Sequence, residues 1–349
     1  MLIVMSSKLV LFVTWLFVTY TVGITATDTV ECSCSTSSTP KPKPHSLRIM
    51  TFNTWKSGAK VDYGMSKIVR QIINVNPDIA ALQEITDPAR LVQIVDELKN
   101  KTGVHWEGKV TQENNPNVAI LSKYKILNVL ARKSVMYIAS DIAVSRDLNI
   151  SFWAHWNHYQ HDGPVEVYKK TIVDNETMLK NEEPRLNVIK ELVAEPEFQK
   201  ALKTVKQKPI LVCGDFNCPS HQDWIYENRH LHFNKVLPWP TTKYLTDHVK
   251  MTDSYRKVHP NVTVSPGITW STVETWNTEI QAPEPHNRID FIFYKGSRLT
   301  PVRSETMPFA NGTWSSCDKH CQCGETCDAV KNNVHPSDHF LVYTDFEWR

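Results

Sequence analysis

The run Pro209-Ile210-Leu211-Val212-Cys213-Gly214-Asp215-Phe216-Asn217 decides how the rest of this chain is read. A short apolar stretch, strand-like in length, ends in Gly-Asp-Phe-Asn. Side chains two apart on a strand point to the same side. Asp215 and Asn217 would therefore sit together at the mouth of that strand, a carboxylate beside a carboxamide. Asp215 could take a proton from water or hold a metal while Asn217 fixes an oxygen next to it. A plain turn is the local alternative, because Gly, Asp and Asn all favour turns. The other strand ends decide between the two.

Outward from this run, strands and helices mix without regular βαβ repetition. Leu47 to Phe52 is strand-like, and Tyr63 to Val75 has helical spacing through Ile68, Ile72 and Val75, stopping before Asn76-Pro77. Asp78 to Gln83 reads as a buried strand. Pro88 to Asn100 reads as a helix with Asp87 as N-cap and Pro88 at its first position. Strand-like runs follow at Val118 to Leu121, Ile126 to Leu130 and Asp147 to Trp153. Met178 to Val205 is mostly helical. A loop-rich region runs to about residue 288, before strands at Ile289 to Tyr294 and Phe340 to Phe346. The expected fold class is α+β, a four-layer sandwich of two packed mixed sheets flanked by helices.

The 349 residues are 41% hydrophobic and 22% charged, which suits a globular protein and excludes a disordered one. The formal net charge of +2 is too mild to argue for nucleic acid without a clustered basic patch, and no long Lys/Arg run is present. Lys8 precedes an uncharged stretch from Leu9 to Thr27, with small residues at Gly23 to Ala26. Residues 1–26 read as a signal peptide of a secreted protein, with an uncleaved signal anchor as the alternative. Residues 27–46 form a Ser/Thr/Pro/Lys-rich tether, and 47–349 the folded domain. Glycosylation sequons at Asn100, Asn149, Asn175, Asn261 and Asn311 suit a glycoprotein on that route.

Eight cysteines, an even number, suggest disulfide bonds in an oxidising compartment. Cys32 and Cys34 lie close together, and Cys317, Cys321, Cys323 and Cys327 lie in a Cys-rich insertion near 311–330. A disulfide-stapled loop and a zinc knuckle are both readings of that insertion. Cys213 and Cys218, around the opening run, could pair or remain free.

Several strands end in reactive side chains: Asn53, Gln83-Glu84, His155, Asp215 with Asn217, Asp290 after Arg288, and Ser337-Asp338-His339. One such end is ordinary, whereas six aimed at a common rim would be a site. Thr51-Phe52-Asn53-Thr54-Trp55, Leu82-Gln83-Glu84, Gly214-Asp215-Phe216-Asn217, Arg288-Ile289-Asp290-Phe291-Ile292 and Ser337-Asp338-His339-Phe340 occur in this order. Together they resemble the endonuclease/exonuclease/phosphatase superfamily of DNase I-like enzymes, over about residues 47 to 347. The segment from Gly214 to Trp224 resembles a secreted branch. The inositol-phosphatase signature differs, with Cys-Asp-Arg where this chain has His286-Asn287-Arg288.

The resemblance implies a metal-dependent hydrolase of phosphoric esters, a phosphodiesterase or nuclease, with sphingomyelinase or phosphomonoesterase activity as alternatives. A non-catalytic secreted binding protein is the opposing class. By the same resemblance Glu84 is a metal-binding carboxylate suited to Mg²⁺, with Mn²⁺ or Ca²⁺ as substitutes. Asn53 supports metal and phosphate, and Asp338 lies near metal or water. Asp215 orients or deprotonates the attacking water, and Asn217 contacts phosphate. Asp290 and His339 form a carboxylate–imidazole pair. His155 takes the place of a phosphate-binding histidine, within a His155-x2-His158-x2-His161 series that also has a metal-ligand reading. The implied partner is a phosphate ester from a nucleic acid, phospholipid or small molecule, handled by a monomer. Leu237-Pro238-Trp239-Pro240 is a candidate loop for weak membrane contact, and Trp224, Tyr255 and Trp270 are candidate cleft aromatics.

Overall fold

Alternation along the strands sets the layers. In β1 (His45–Asn53), Leu47 and Ile49 face one way and Met50 and Phe52 the other, and all four are fully buried. A strand buried on both faces lies between two layers. β2 (Ile79–Gln83) is likewise buried throughout. The computed structural model describes residues 45–160, 163–169, 174–307 and 328–349. The expected signal peptide, most of the tether and the late cysteine cluster lie outside the described residues, as do Cys32, Cys34 and His161.

The further strands are β3 (Glu107–Gln112), β4 (Asn115–Ser122), β5 (Lys125–Lys133), β6 (Tyr137–Ala143), β7 (Asn149–Trp156), β8 (Ile210–Asp215), β9 (Thr252–Asp253), the small pair β10 (Trp276–Asn277) and β11 (Ala282–Pro283), β12 (Asp290–Lys295), β13 (Leu299–Met307) and β14 (Leu341–Trp348). They build two six-stranded sheets, ordered β13-β14-β1-β2-β4-β3 and β5-β6-β7-β8-β12-β9. Each sheet is mixed, with one parallel pair, β1 with β2 and β7 with β8. Between the sheets, Leu47, Ile49, Ile79 and Ile120 meet Ile150, Phe152, Leu211 and Ile292.

Helices cover both outer faces. α1 (Gly64–Val75) and α2 (Pro88–Thr102) bury Ile68, Ile72, Leu91 and Ile94 against Phe52, Leu82 and Leu121. Each such side chain contributes about 1.5–3 kcal/mol by leaving water. Across the other sheet lie α3 (Gly163–Lys169), α4 (Asn175–Asn181), α5 (Glu183–Ala194), α6 (Pro196–Lys203), α7 (Pro240–Asp247) and α8 (Ser254–Val258), with α9 (Asp328–Lys331) near the end of the chain. Ile189 and Leu192 of α5, Phe198 of α6 and Leu245 of α7 pack on Trp153, Val212 and Phe293. This is the expected four-layer α+β sandwich.

Helix ends follow the sequence signals. Asp87 caps α2, its Oδ1 accepting from the Ala89 N–H at 2.8 Å, with Pro88 next. Asn76 ends α1 in a left-handed conformation at φ +53°. The stretch 178–205 is mostly helical, as expected, and is divided among α4, α5 and α6. Pro184 and Pro196 sit at the starts of α5 and α6, where a missing N–H costs nothing.

Of the two readings of Cys213 and Cys218 the unpaired one holds, and both are buried free thiols. One loop expectation changes. Leu237 and Trp239 are 1% and 0% exposed, so they do not form a membrane-facing loop. Trp239 packs edge-on against Trp224 at 4.9 Å between ring centres. Among the described residues, no helix is long and apolar enough to cross a membrane.

Candidate active site

The inter-sheet face changes chemistry at one end. Along β1 the inward positions run Leu47, Ile49, Thr51, Asn53. Along β8 they run Leu211, Cys213, Asp215, and along β12, read backwards, Tyr294, Ile292, Asp290. Apolar core gives way to polar groups at the strand ends because the alternation continues unbroken. Asp215 and Asp290 are paired directly across β8 and β12.

These ends meet. Asp215, 1% exposed, accepts from Asn53 Nδ2 at 3.0 Å and from Asn217 Nδ2 at 3.1 Å on Oδ2, and from the Asn217 N–H at 2.9 Å on Oδ1. Asn53 Nδ2 also donates to Glu84 Oε1 at 3.3 Å. His339 Nδ1 lies 2.9 Å from Asp290 Oδ2, while its Nε2 is 3.9 Å from Asp215 and 4.0 Å from Asp338. Thus Asn53, Glu84, Asp215, Asn217, Asp290, Asp338 and His339 converge from distant parts of the chain.

Backbone geometry holds the two turn residues. Asn217 sits at φ +48°, a left-handed conformation that Asn tolerates. Glu84 sits at φ +59°. Opposite it, Trp55, Lys56, Ser57 and Gly58 are all left-handed, with φ between +46° and +74°. Such a turn costs about 1–2 kcal/mol per non-glycine residue. It is braced on Glu84: the Lys56 N–H donates to Oε2 and the Ser57 N–H to the Glu84 carbonyl, each at 2.9 Å. Gly58 closes the turn with an N–H to the Thr54 carbonyl at 2.7 Å, and a Cβ there would lie 2.6 Å from the Gly64 backbone.

Burial and crowded charge shape the ionisation. Burial, with Asp290 adding repulsion, pushes Asp215 up to about 7 despite His339 and the amide donors. Burial and the nearby Glu84 likewise push Asp338 up to about 7. His339 goes well above the usual imidazole range, since Asp290, Asp215 and Asp338 outweigh the desolvation that pulls it down. The result is an imidazolium among carboxylates.

The open cleft beside these groups has a volume of about 590 Å³. Glu84, Asp215, Asn217, Asp338 and His339 line it, with Lys56, Lys60, Trp156, Tyr159 and Trp270 on its walls. Donor atoms of Asp215, Asp290 and His339 lie within 4.8 Å of one another and could hold a metal ion. Four carboxylates around one imidazole form an oxygen-rich donor set that fits a hard divalent cation.

His155 is not in the cleft. On β7 the inward residues are Phe152, Ala154 and Trp156, so His155 faces the helix layer, fully buried against Phe216 at 4.8 Å between ring centres. Burial pulls its pKa down to about 3, and neither ring nitrogen has a partner in good hydrogen-bond geometry among the described residues. The structure therefore does not bring His155 to the cleft, where the expected phosphate-binding role would need it, and Trp156 lines the cleft one residue on. Nor does the His155–His158 spacing make a ligand group: among the described residues, the Asp215–Asp290–His339 set is the one found with three or more ligating groups.

Several supporting contacts escaped the sequence reading, although Ser337 and Trp270 themselves were singled out. Thr269 Oγ1 accepts from the N–H groups of Ile289 and Asp290 at 2.9 and 3.1 Å. Ser337 Oγ donates to the Asn53 carbonyl at 2.6 Å, and Trp270 Nε1 reaches Asp338 at 3.4 Å. Thr269 and Trp270 follow Pro266-Gly267, a visible turn signal. Nothing in the sequence marks the partners they find. Of the candidate aromatics, Trp270 lines the cleft, Tyr255 is buried beneath Arg288, and Trp224 lines a neighbouring pocket.

A sandwich of two mixed sheets that delivers carboxylates, amides and an imidazolium to one end of its inter-sheet face is the architecture of a phosphoesterase. Residues 50–339 match the model of the Endonuclease/Exonuclease/phosphatase family, whose members act on phosphoester bonds, and the chain belongs to that family. An uncharacterized Caenorhabditis elegans protein is 34% identical over 305 residues, covering 86% of this chain and 91% of its own length. Truncated C. elegans TDP2 has a similar structure at 13% identity, with a TM-score of 0.52 over 86% of this chain and 97% of its own. An endonuclease/exonuclease/phosphatase family protein from Bacteroides thetaiotaomicron gives 14% identity and a TM-score of 0.51, over 88% and 99%. At these identities the two structures speak for the fold alone.

Proposed function

We propose that the protein is a metal-dependent phosphoric-ester hydrolase in which water attacks phosphorus directly. The carrying observation is the alignment of Asp290, His339 and Asp215 beside Asn53 and Asn217 at the floor of an open cleft. Glu84 and Asp338 would hold the ion, because both line the cleft, whereas Asp290 is engaged with His339. Asn53 would steer Glu84 through its amide. A bound divalent ion would supply positive charge to the phosphate oxygens.

The residues supply the rest. Asp290 fixes the His339 ring and stabilises its charge, so that Nε2 can donate to a non-bridging oxygen. Asp215 accepts a proton from the water it orients. Asn217, whose Nδ2 donates to Asp215 and to the Asn157 carbonyl (2.9 Å), fixes the Asp215 carboxylate beside the same phosphate. No covalent intermediate is required.

The purified domain should hydrolyse bis-p-nitrophenyl phosphate with Mg²⁺, Mn²⁺ or Ca²⁺ and lose that turnover in chelator. Glu84→Gln should raise the metal concentration for half-maximal rate at least about tenfold. Chelator-insensitive turnover, or no turnover on diesters, monoesters, DNA or sphingomyelin, would count against the assignment.

We further place the protein in the secretory pathway. The uncharged stretch from Leu9 to Thr27 supports this, as does exposure of Asn100, Asn149, Asn175 and Asn261. N-glycosidase treatment of chain expressed in animal cells should increase its gel mobility. Unchanged mobility would remove the glycosylation part of this reading.

A further inference from the structure

A second pocket, of about 360 Å³, adjoins the cleft, and Pro219 and Asn287 line both. Pro219 follows Asn217 by two residues. Asn287 accepts from Trp224 Nε1 at 3.0 Å, so the partition carries a phosphate-side residue on one face and an indole on the other. We propose that this pocket receives an uncharged, aliphatic arm of the phosphate ester, so that the substrate is an amphiphile; the assignment rests on the hydrolase reading above.

Most of the accessible lining is apolar, with Trp224, Leu231, Phe233, Pro266, Ile268 and Pro285 prominent, while Asn228, Glu284, His286 and Asn287 add polar groups to its wall. Asp223 and Arg288 reach it, but they are bound to each other by hydrogen bonds of 2.9 and 3.1 Å and offer no free charge. His232 also lines it, only 8% exposed and stacked on Trp224 at 4.4 Å, and its Nε2 has no partner among the described residues. Burial lowers the His232 pKa to about 4, so the ring is neutral at pH 7 and adds one polar handle for a hydroxyl or carbonyl. The size falls at the lower end for small-ligand pockets, fitting one arm of a molecule better than the whole.

Two apolar residues of the pocket wall face water: Leu231 is 52% exposed and Phe233 37%, with Tyr226 and Val236 exposed in the same chain segment. Phe233 is held at φ +54°, unusual for a bulky residue, and its ring meets Tyr168 edge-on at 4.7 Å. Water-facing apolar side chains gathered around an apolar pocket mark a binding surface. A chain longer than the pocket could continue along them.

The test uses methyl, butyl and octyl p-nitrophenyl phosphodiesters below their aggregation limits, with the metal-loaded protein. kcat/KM should rise about fourfold for each methylene that becomes buried. Leu231→Glu and Phe233→Asn, both at exposed positions and the second tolerant of left-handed backbone, should lower the octyl-to-methyl ratio. A flat series from an enzyme that turns over the methyl ester in a metal-dependent way overturns the pocket assignment and leaves the hydrolase reading standing. If no ester turns over, the phosphodiesterase part of the hydrolase reading fails, and calorimetry with methyl, butyl and octyl phosphonates tests the pocket separately. Affinity that climbs with chain length and flattens in Leu231→Glu supports it; equal affinities overturn it. Preference for a nucleoside p-nitrophenyl phosphodiester over the octyl ester also overturns it.

Discussion

Asp215→Asn should lower phosphodiester turnover by about 10²–10⁴-fold, the range for loss of a positioned general base. The exchange keeps the side-chain volume and removes the carboxylate assigned to take the proton. It also turns an amide towards donors that now meet a carboxylate: Asn53 Nδ2 and Asn217 Nδ2 on one oxygen and the Asn217 N–H on the other. At least one donor must then face another donor, so the water would lose its orientation along with its base. Because β8 stays packed on both faces, the variant should fold, with an unfolding midpoint near that of the parent. Steady-state kinetics together with circular dichroism would check both halves. A folded variant with near-parental rate would remove Asp215 from the chemistry.

Arg288→Met should cost about 3–5 kcal/mol of stability, the range for stripping one partner from a buried ionic network. Arg288 is 3% exposed and grips Asp223 with two nitrogens and Asp253 with the third, at 2.6 Å. Burial alone would lower its pKa, but the two carboxylates more than offset that and raise it. Arg256 also reaches Asp223, at 2.9 Å, so Asp253 would be the charge left most exposed to the loss. Asp253 Oδ1 meanwhile caps α8 through the N–H groups of Tyr255 and Arg256. Urea unfolding should show the loss as a lower midpoint at unchanged slope. Arg288→Met combined with Asp253→Asn should recover part of it, since Asp223 keeps its pairing with Arg256 and the carboxylate left alone is removed. A single variant within about 1 kcal/mol of the parent would show that the network adds little.

Strands with strong alternation and clear punctuation were legible in the sequence. β8 and β12 lie within a residue of their expected limits, and Asp87-Pro88 announced α2. Six strands were not anticipated: β3, β6, β13 and, within the region read as loop-rich, the two-residue β9, β10 and β11. β13 is an edge strand, largely polar, with Pro301 beside a bulge, and it is specified by eight residues of pairing with β14 rather than by its own pattern. β6 is buried on both faces over its first four residues because helices and the first sheet cover it from opposite sides, which its neighbours in the chain do not reveal.

Within the site, side-chain identity was readable and direction was not. Asp215 and Asp290 are placed by alternation that can be counted. His155 resembled a motif, yet the same count from Phe152 and Ala154 assigns the inward position to Trp156. The Glu84 conformation and the left-handed turn opposite it depend on hydrogen bonds between segments about thirty residues apart, which local propensity does not encode.

That turn separates two tasks within a handful of residues. Its grip on Glu84 is made by main-chain N–H groups, which every residue other than proline carries. The side chains of Lys56 and Lys60 are left to set the charge of the cleft wall. Drift at those two lysines could therefore retune which anions enter while the carboxylate stays where the backbone puts it. Gly58 is the fixed point of this arrangement, because its left-handed φ and its approach to Gly64 leave no room for a side chain.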